Sequence, residues 1–294
     1  MLQPVLDLLR VRPGSVVVDG TVGHGGHAEG MLAAAGDEGV LVAADWDEAM
    51  LRKAEENLKG TPGRKRFVHA DFRDLPAWLH EHEAGGADAI LLDFGVNLQH
   101  FQDPLRGFSF LTDAPLDMRM DRSSRETAAA WLGRATHGEI AAALRDYGGE
   151  RWAGPIAREI VARRKRGGMK RTTDLVEAVL AAVPPQRRDK RIDPATRTFQ
   201  AVRIAVNREL EGLEDAIREL AACLRPGGRM ATLSYHSGED RAAKNAFKSL
   251  ARSAEFRIVT KRPLTPTAEE TRENPRSRSA KLRAIERTNK ETDE

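Results

Sequence analysis

Along the first hundred residues, short apolar runs alternate with amphipathic stretches. Ser15 to Asp19 (SVVVD) is a β-branched run stopped by Gly20, which predicts a buried strand. A Gly-rich turn, Gly23-His24-Gly25-Gly26, follows, and His27 to Ala35 then has a helical pattern. Val40 to Ala44 and Ala87 to Leu92 predict further buried strands, with a short one at Phe67 to Ala70 between them. Glu48 to Leu58 and Leu75 to Glu83 read as helices in the gaps. Strand and helix in regular alternation predict βαβ units on a parallel sheet.

After Asp93 the alternation stops. Gly95 to Asp121 predicts a long loop carrying Phe108 and Phe110, and loops of that length are usually functional. Glu126 to Ala182 shows helical periodicity only, at Ala129 to Leu132, His137 to Arg145, Gly154 to Arg166 and Leu175 to Ala182. One long helix is expected from about Thr198 to Leu224. Strand patterns return at Arg229 to Leu233, Phe256 to Thr260 and Lys281 to Ile285. The expected class is α/β. A sheet domain in two parts, residues 1–121 and 198–294, is interrupted by an all-helical block over 122–197.

Composition narrows the classes. The 294 residues are 40% hydrophobic, enough for a sizeable core, and a single cysteine, Cys223, excludes an internal disulfide and a cysteine-based zinc site. No apolar run approaches the ~18 residues of a membrane helix, and Met1 to Arg10 is too short and mixed for a signal peptide. A soluble, cytoplasmic protein is expected. The net charge of +3 hides an asymmetry. Residues 151–210 hold 15 Lys/Arg against 6 Asp/Glu, a local +9, so the rest of the chain carries −6. The densest run is Arg163 to Arg171, with others at Arg187 to Arg191 and Arg276 to Arg283. Any one run reads equally well as a solvated helix face; three of them on an otherwise acidic chain point to a polyanion, with nucleic acid first.

In a doubly wound sheet, ligands sit at the carboxyl ends of the strands. Asp19, Asp45, Asp71 and Asp93 fall there. The Gly cluster lets backbone approach a ligand and leaves helix N–H groups facing it. Asp45 is placed to accept from ribose hydroxyls. The spacing is not G-x-G-x-x-G, and acids after the third and fourth strands suit an adenine amine and a free ammonium, as in S-adenosylmethionine, better than a nicotinamide cofactor.

Several stretches carry a closer resemblance. Val18-Asp19-Gly20-Thr21, Gly25-Gly26-His27, Asp93-Phe94-Gly95-Val96, Arg106-Gly107-Phe108-Ser109-Phe110 and Pro115-Leu116-Asp117-Met118-Arg119-Met120 lie in the first half. Thr198 to Ile204 with Asn207, Tyr235-His236-Ser237 with Glu239-Asp240, and Asn274 to Arg283 complete the set. In that order they resemble the MraW-type methyltransferases, which modify N4 of a cytosine in 16S ribosomal RNA. The resemblance implies a Rossmann-like, S-adenosylmethionine-dependent methyltransferase domain with an inserted helical domain for substrate recognition. It implies small-subunit ribosomal RNA as partner, at the decoding-centre cytosine commonly called position 1402.

Carried over residue by residue, the resemblance puts cofactor contacts on Gly25, Gly26, His27, Asp45, Phe72, Asp93 and His100, the last where many members have Gln. This chain departs from the pattern at Asn97-Leu98, where the family has two Ser, and at Gly238, where it has Leu. The family's N-terminal segment is also shortened before Val11. Cytosine N4 is a weak nucleophile, so positioning and hydrogen-bond acceptors are what an enzyme supplies. Asp93 with Asn97 is the candidate catalytic pair; Asp93 serves either the base amine or the cofactor ammonium. Phe94, Phe108 and Phe110 read as stacking faces for an extruded base or as loop anchors. Tyr235 and His236 are candidates for the base pocket, and Arg106 and Arg119 for phosphates. No metal site is expected, since nothing completes a ligand set around His24, His27, His80 or His82. Two further readings remain: an amino methyltransferase for another nucleic acid, and a cofactor-binding RNA or ribosome assembly factor.

Overall fold

A computed structural model describes residues 1–83, 85–96, 101, 103–124, 126–189 and 191–289. Contacts divide the chain into two compact units, Met1–Gly95 with Gly212–Glu294, and Val96–Glu211.

The first unit is built on a seven-stranded sheet. In chain order the strands are β1 (Val16–Asp19), β2 (Val40–Asp45), β3 (Arg64–His69), β4 (Ala87–Asp93), β5 (Leu224–Ser234), β6 (Phe256–Ile258) and β7 (Lys281–Arg287). Their spatial order is β3-β2-β1-β4-β5-β7-β6. The first five are parallel, and β7 runs antiparallel to both its neighbours. The order reverses between β1 and β4, which makes a switch point at their carboxyl ends. The fold is Rossmann-like α/β, as the alternation predicts. Central strands β1 and β2 are buried on every residue, which is why they read as unbroken apolar runs. β3 is an edge strand with alternating exposure, and its polar start at Arg64 hid three residues from the apolar pattern.

Helices α1 (Leu2–Leu9), α2 (Gly26–Ala35) and α3 (Glu48–Asn57) cover one face. Val5, Leu9, Met31, Leu32, Leu51 and Ala54 meet Val17, Leu41 and Leu91 of the sheet there. α4 (Leu75–His82) packs on a helix at Leu213–Ala222, labelled α10, which in turn packs on α11 (Ser237–Leu250). A short helix, α12 (Ala268–Glu273), precedes β7. Among the described residues no helix is long and apolar enough to cross a membrane.

The second unit is helical: α5 (Ala128–Arg134), α6 (His137–Asp146), α7 (Ala153–Arg164), α8 (Thr172–Ala182) and α9 (Ala195–Asn207). Its core joins Leu132, Ile140, Leu144, Ile156, Ile160, Leu175 and Val179 with Leu116 and Met118 of the preceding loop and Phe199, Val202 and Val206 of α9. The unit's edges at 96 and 211 therefore lie outside the expected 122 and 197. Both flanking segments bury apolar side chains in the helical core.

The single helix expected from Thr198 to Leu224 is two. Arg208 takes a left-handed conformation (φ 50°) and ends α9, and Gly212 (φ 63°) opens α10. Between them Glu209 folds back onto Arg203, with two hydrogen bonds of 2.9 and 2.8 Å. A buried ion pair thus overrides helical propensity.

Candidate active site

The switch point brings the strand-end carboxylates together. β1 delivers Asp19, which is 1% exposed. Gly20 follows because the strands approach closely: a Cβ there would meet Leu92 Cδ2 at 2.6 Å. The Thr21 amide donates to Asp19 Oδ1 (3.1 Å), and the Thr21 hydroxyl accepts from the Asp93 amide (2.7 Å). β2 delivers Asp45, whose two oxygens accept from the amides of Gly23 and Asp47, each at 2.9 Å.

Gly25 holds φ 88° and caps α2 without a side-chain acceptor. The first amides of the helix thus keep their donor capacity for an anionic group. Gly26 has open space where a Cβ would be. From the first turn of α2, His27 Nδ1 lies 3.4 Å from Asp93 Oδ2. Burial pushes the imidazole down, but the Asp93 carboxylate and then Asp19 pull it above its ordinary value. Burial pushes the Asp19 carboxyl up to about 7, against the pull of His27 and the Thr21 amide, with Asp93 and Asp45 adding to the rise.

Asp93 is the meeting point. Its Oδ1 is buried with no hydrogen-bond partner among the described residues. The phenol of Tyr235, from the end of β5, faces the same carboxylate; burial and then the Asp93 charge raise it and keep it protonated as a donor. Gly95 makes room, since a Cβ there would touch Tyr235 Cδ2 at 3.3 Å and its φ of 110° is costly for other residues. Glu239, 2% exposed, accepts from the Tyr235 amide at 2.8 Å and fixes this turn. The signal for Thr21 and Tyr235 was present in the quoted motifs, but their link to Asp93 depends on β1, β4 and β5 being neighbours.

Other expected residues take different places. His236 uses one side of its ring at the start of α11. Its Nδ1 accepts from the Gly238 amide at 3.1 Å, and Glu239 Oε2 accepts from the His236 amide at 3.2 Å, a box that caps α11. Half-buried Phe72 packs 5.9 Å from Phe94 and carries the Arg73 guanidinium 4.7 Å over its ring. Asp71 is held by that same arginine at 2.7 Å. Phe94 is 6% exposed and Phe108 4%. Phe110 packs edge-on against Phe199. Asn97 and His100 lie outside the described residues.

In the helical unit, Arg106 and Arg119 are not offered to phosphate. Arg106 is buried and donates to the carbonyls of Arg119 (3.0 Å) and Met120 (2.8 Å). Arg119 makes a two-pronged pair with Asp117, both bonds 2.7 Å, and donates to the carbonyls of Arg122 and Ser124. Asn207 completes the staple, accepting from the Met120 amide and donating to the Met118 carbonyl, both at 2.8 Å. These motif residues shape a loop in which Met118 stands at φ 58°.

Three carboxylates and one imidazole around an uncapped helix start suit a ligand with cationic, hydroxyl and carboxylate parts. S-adenosylmethionine has all three, so the residues present fit it. The sequence model of the MraW methylase family matches residues 1–288. The Ribosomal RNA small subunit methyltransferase H of Heliobacterium modesticaldum is 43% identical over 303 residues, covering 98% of this chain and 97% of that one. The protein of the same name from Geobacter sulfurreducens is 43% identical over 298 residues, covering 96% of both. That of Citrifermentans bemidjiense is 41% identical over 298 residues, also covering 96% of both. Among solved structures, TrmN from Thermus thermophilus overlaps with a TM-score of 0.45 at 17% identity, covering 97% of this chain and 48% of that one. Matched from end to end at this identity, the chain belongs to the MraW methylase family.

Proposed function

We propose that this chain, acting in the cytoplasm, transfers the methyl group of S-adenosylmethionine to N4 of the decoding-centre cytosine of 16S ribosomal RNA in the small subunit. The observation that carries the chemistry is the buried, unpartnered Oδ1 of Asp93 at the switch point. A buried acceptor without a donor is costly unless a ligand supplies one. The bound cofactor supplies an already activated electrophilic methyl. The chain's own residues then have two tasks: to hold the donor and to present an amine in line with it.

Asp45 and the start of α2 support the first task through hydroxyl and carboxylate parts. Asp93 Oδ1 is the acceptor for an N–H donor, either the cofactor's ammonium or the base's amine. Its backbone is set by Thr21 and its carboxylate by His27 and Tyr235. An acceptor on the exocyclic amine draws it toward tetrahedral geometry and exposes its lone pair. No strong base is needed, because the proton leaves after the bond to carbon has formed.

The test is methyl transfer from labelled S-adenosylmethionine to small subunits lacking the modification, with naked 16S RNA and cytosine-containing DNA alongside. Label confined to N4 of the decoding-centre cytosine is the expected result. Label on DNA, or none despite tight cofactor binding, would overturn the substrate. Asp93→Asn then separates the roles: lost cofactor affinity assigns Oδ1 to the ammonium, and lost turnover with retained affinity assigns it to the base.

A further inference from the structure

The run from Arg163 to Arg171 is the densest basic stretch in the chain, and the fold uses much of it internally. Arg163 pairs with Glu159 and Glu177 at 2.9 and 2.8 Å. Arg164 donates to the carbonyls of Leu132 and Ala135 and so closes the end of α5. Arg171 pairs with Asp113 at 2.7 Å. These three arginines stabilise the helical unit and leave little for a ligand.

A different set of cations emerges around α7. The helix turns Ala153, Ile156, Ala157 and Ile160 into the core, where it packs on α6 and α8. Arg158 and Lys165, the helix's C-cap, are seven residues apart, so they fall nearly in line on the opposite side ~10 Å apart, and Arg151 lies two residues before the first helical residue. All three are exposed. Among the described residues no carboxylate pairs with any of them. The residues beside them on that face are Gly154, Pro155 and Ala162, small and uncharged. The only acid on the helix, Glu159, is drawn aside by Arg163. Opposite charges three or four residues apart support a solvated helix face; none of the positions three or four residues from Arg151, Arg158 or Lys165 holds an acid.

We propose that Arg151, Arg158 and Lys165 form a track for the phosphates of an RNA strand, which holds the substrate on the helical unit. The proposal rests on the RNA reading above and names the surface that meets the RNA backbone. Arginine forks and a lysine ammonium both match phosphate oxygens, and the small residues between them let a backbone lie close. An acidic protein partner would need an apolar anchor at the centre of the contact. No large apolar side chain is exposed on the described residues of α7.

The experiment compares wild type with R151Q/R158Q/K165Q. Binding to a 16S RNA transcript is followed against potassium chloride, and methyl transfer to unmodified small subunits is followed in parallel. Three phosphate contacts at roughly 0.7–0.9 each predict a salt slope shallower by about 2 in the triple variant. The KM for RNA should rise about tenfold or more, with kcat and S-adenosylmethionine affinity kept. Unchanged thermal melting and cofactor binding show that the variant is folded. R145Q is the control, because Arg145 already bridges Asp146 on α6 and should leave the slope as it was. A triple variant with wild-type slope and wild-type KM overturns the track. If wild type binds the RNA with a stripe-dependent slope yet transfers no methyl to it, the substrate reading fails and the track stands.

Discussion

Thr21 and Asp93 are joined across the switch point: the Asp93 amide donates to the Thr21 hydroxyl at 2.7 Å. The bond ties the loop after β1 to the end of β4, the two strands between which the sheet order reverses. Thr21→Val keeps the shape and removes the acceptor. An amide left without a partner costs about 1–3 kcal/mol. Thr21→Val should therefore melt several degrees lower and bind S-adenosylmethionine about tenfold more weakly, while Thr21→Ser stays close to wild type in calorimetry.

The buried acid beneath that bond gives a pH signature. The carboxyl of Asp19 is pushed up to about 7, chiefly by burial. An acid raised in the folded state stabilises most below its unfolded value of about 3.9, and that contribution is lost as pH rises toward 7. Asp19→Asn has no such proton to lose. Measured without cofactor, the melting temperature of wild type relative to Asp19→Asn should fall steadily from about pH 5 to about pH 8. Parallel curves would mean that Asp19 is ionised throughout. His27 is raised too, against the effect of burial, by the Asp93 carboxylate and then by Asp19, so Asp19→Asn also removes this second pull.

Tyr235 presents a protonated phenol to Asp93 rather than an aromatic face alone. A hydrogen bond to a charged group contributes about 1.5–3 kcal/mol. Tyr235→Phe should lower turnover or cofactor affinity roughly 10- to 100-fold and leave the KM for RNA unchanged. A raised KM for RNA with normal cofactor binding would place the phenol in the base site instead.

Arg203 and Glu209 are the ion pair that breaks the long helix, with side chains 13% and 7% exposed. Removing one partner leaves a charge in a poorly hydrated place, which costs about 3–5 kcal/mol. Arg203→Gln should unfold at markedly lower denaturant concentration. The apolar double variant Arg203→Met with Glu209→Leu should regain most of the loss. Equal midpoints for wild type and Arg203→Gln would show that the pair contributes no net stability.

The parallel strands were legible because burial on both faces writes an unbroken apolar run, as in Val16 to Val18 and Ile90 to Leu92. The cofactor side was legible for a related reason: a glycine turn and strand-end acids keep their order in the sequence. What sequence reasoning missed depends on partners distant in the chain. Arg106 and Arg119 are motif arginines whose charge suggested phosphate, yet their partners are nearby carbonyls and Asp117. The left-handed turn at Arg208 has no glycine to mark it. The face formed by Arg151, Arg158 and Lys165 was invisible in a charge count, because only Lys165 belongs to the densest run and the two arginines stand apart from it in sequence.

β7 is the last strand in chain order and the sixth in space, held between β5 and β6. β6 makes its ladder with β7 alone, so it has no sheet to join until residues 281–287 arrive. During synthesis from the N-terminal end, the half of the sheet bearing Asp19, Asp45 and Asp93 is made first. The antiparallel end closes only when a late segment adds to the free edge of β5 and gives β6 its partner. Folding is thus committed by the final strand, and a ribosome stalled shortly before it would carry a chain whose cofactor-side strands are made but whose sheet is open.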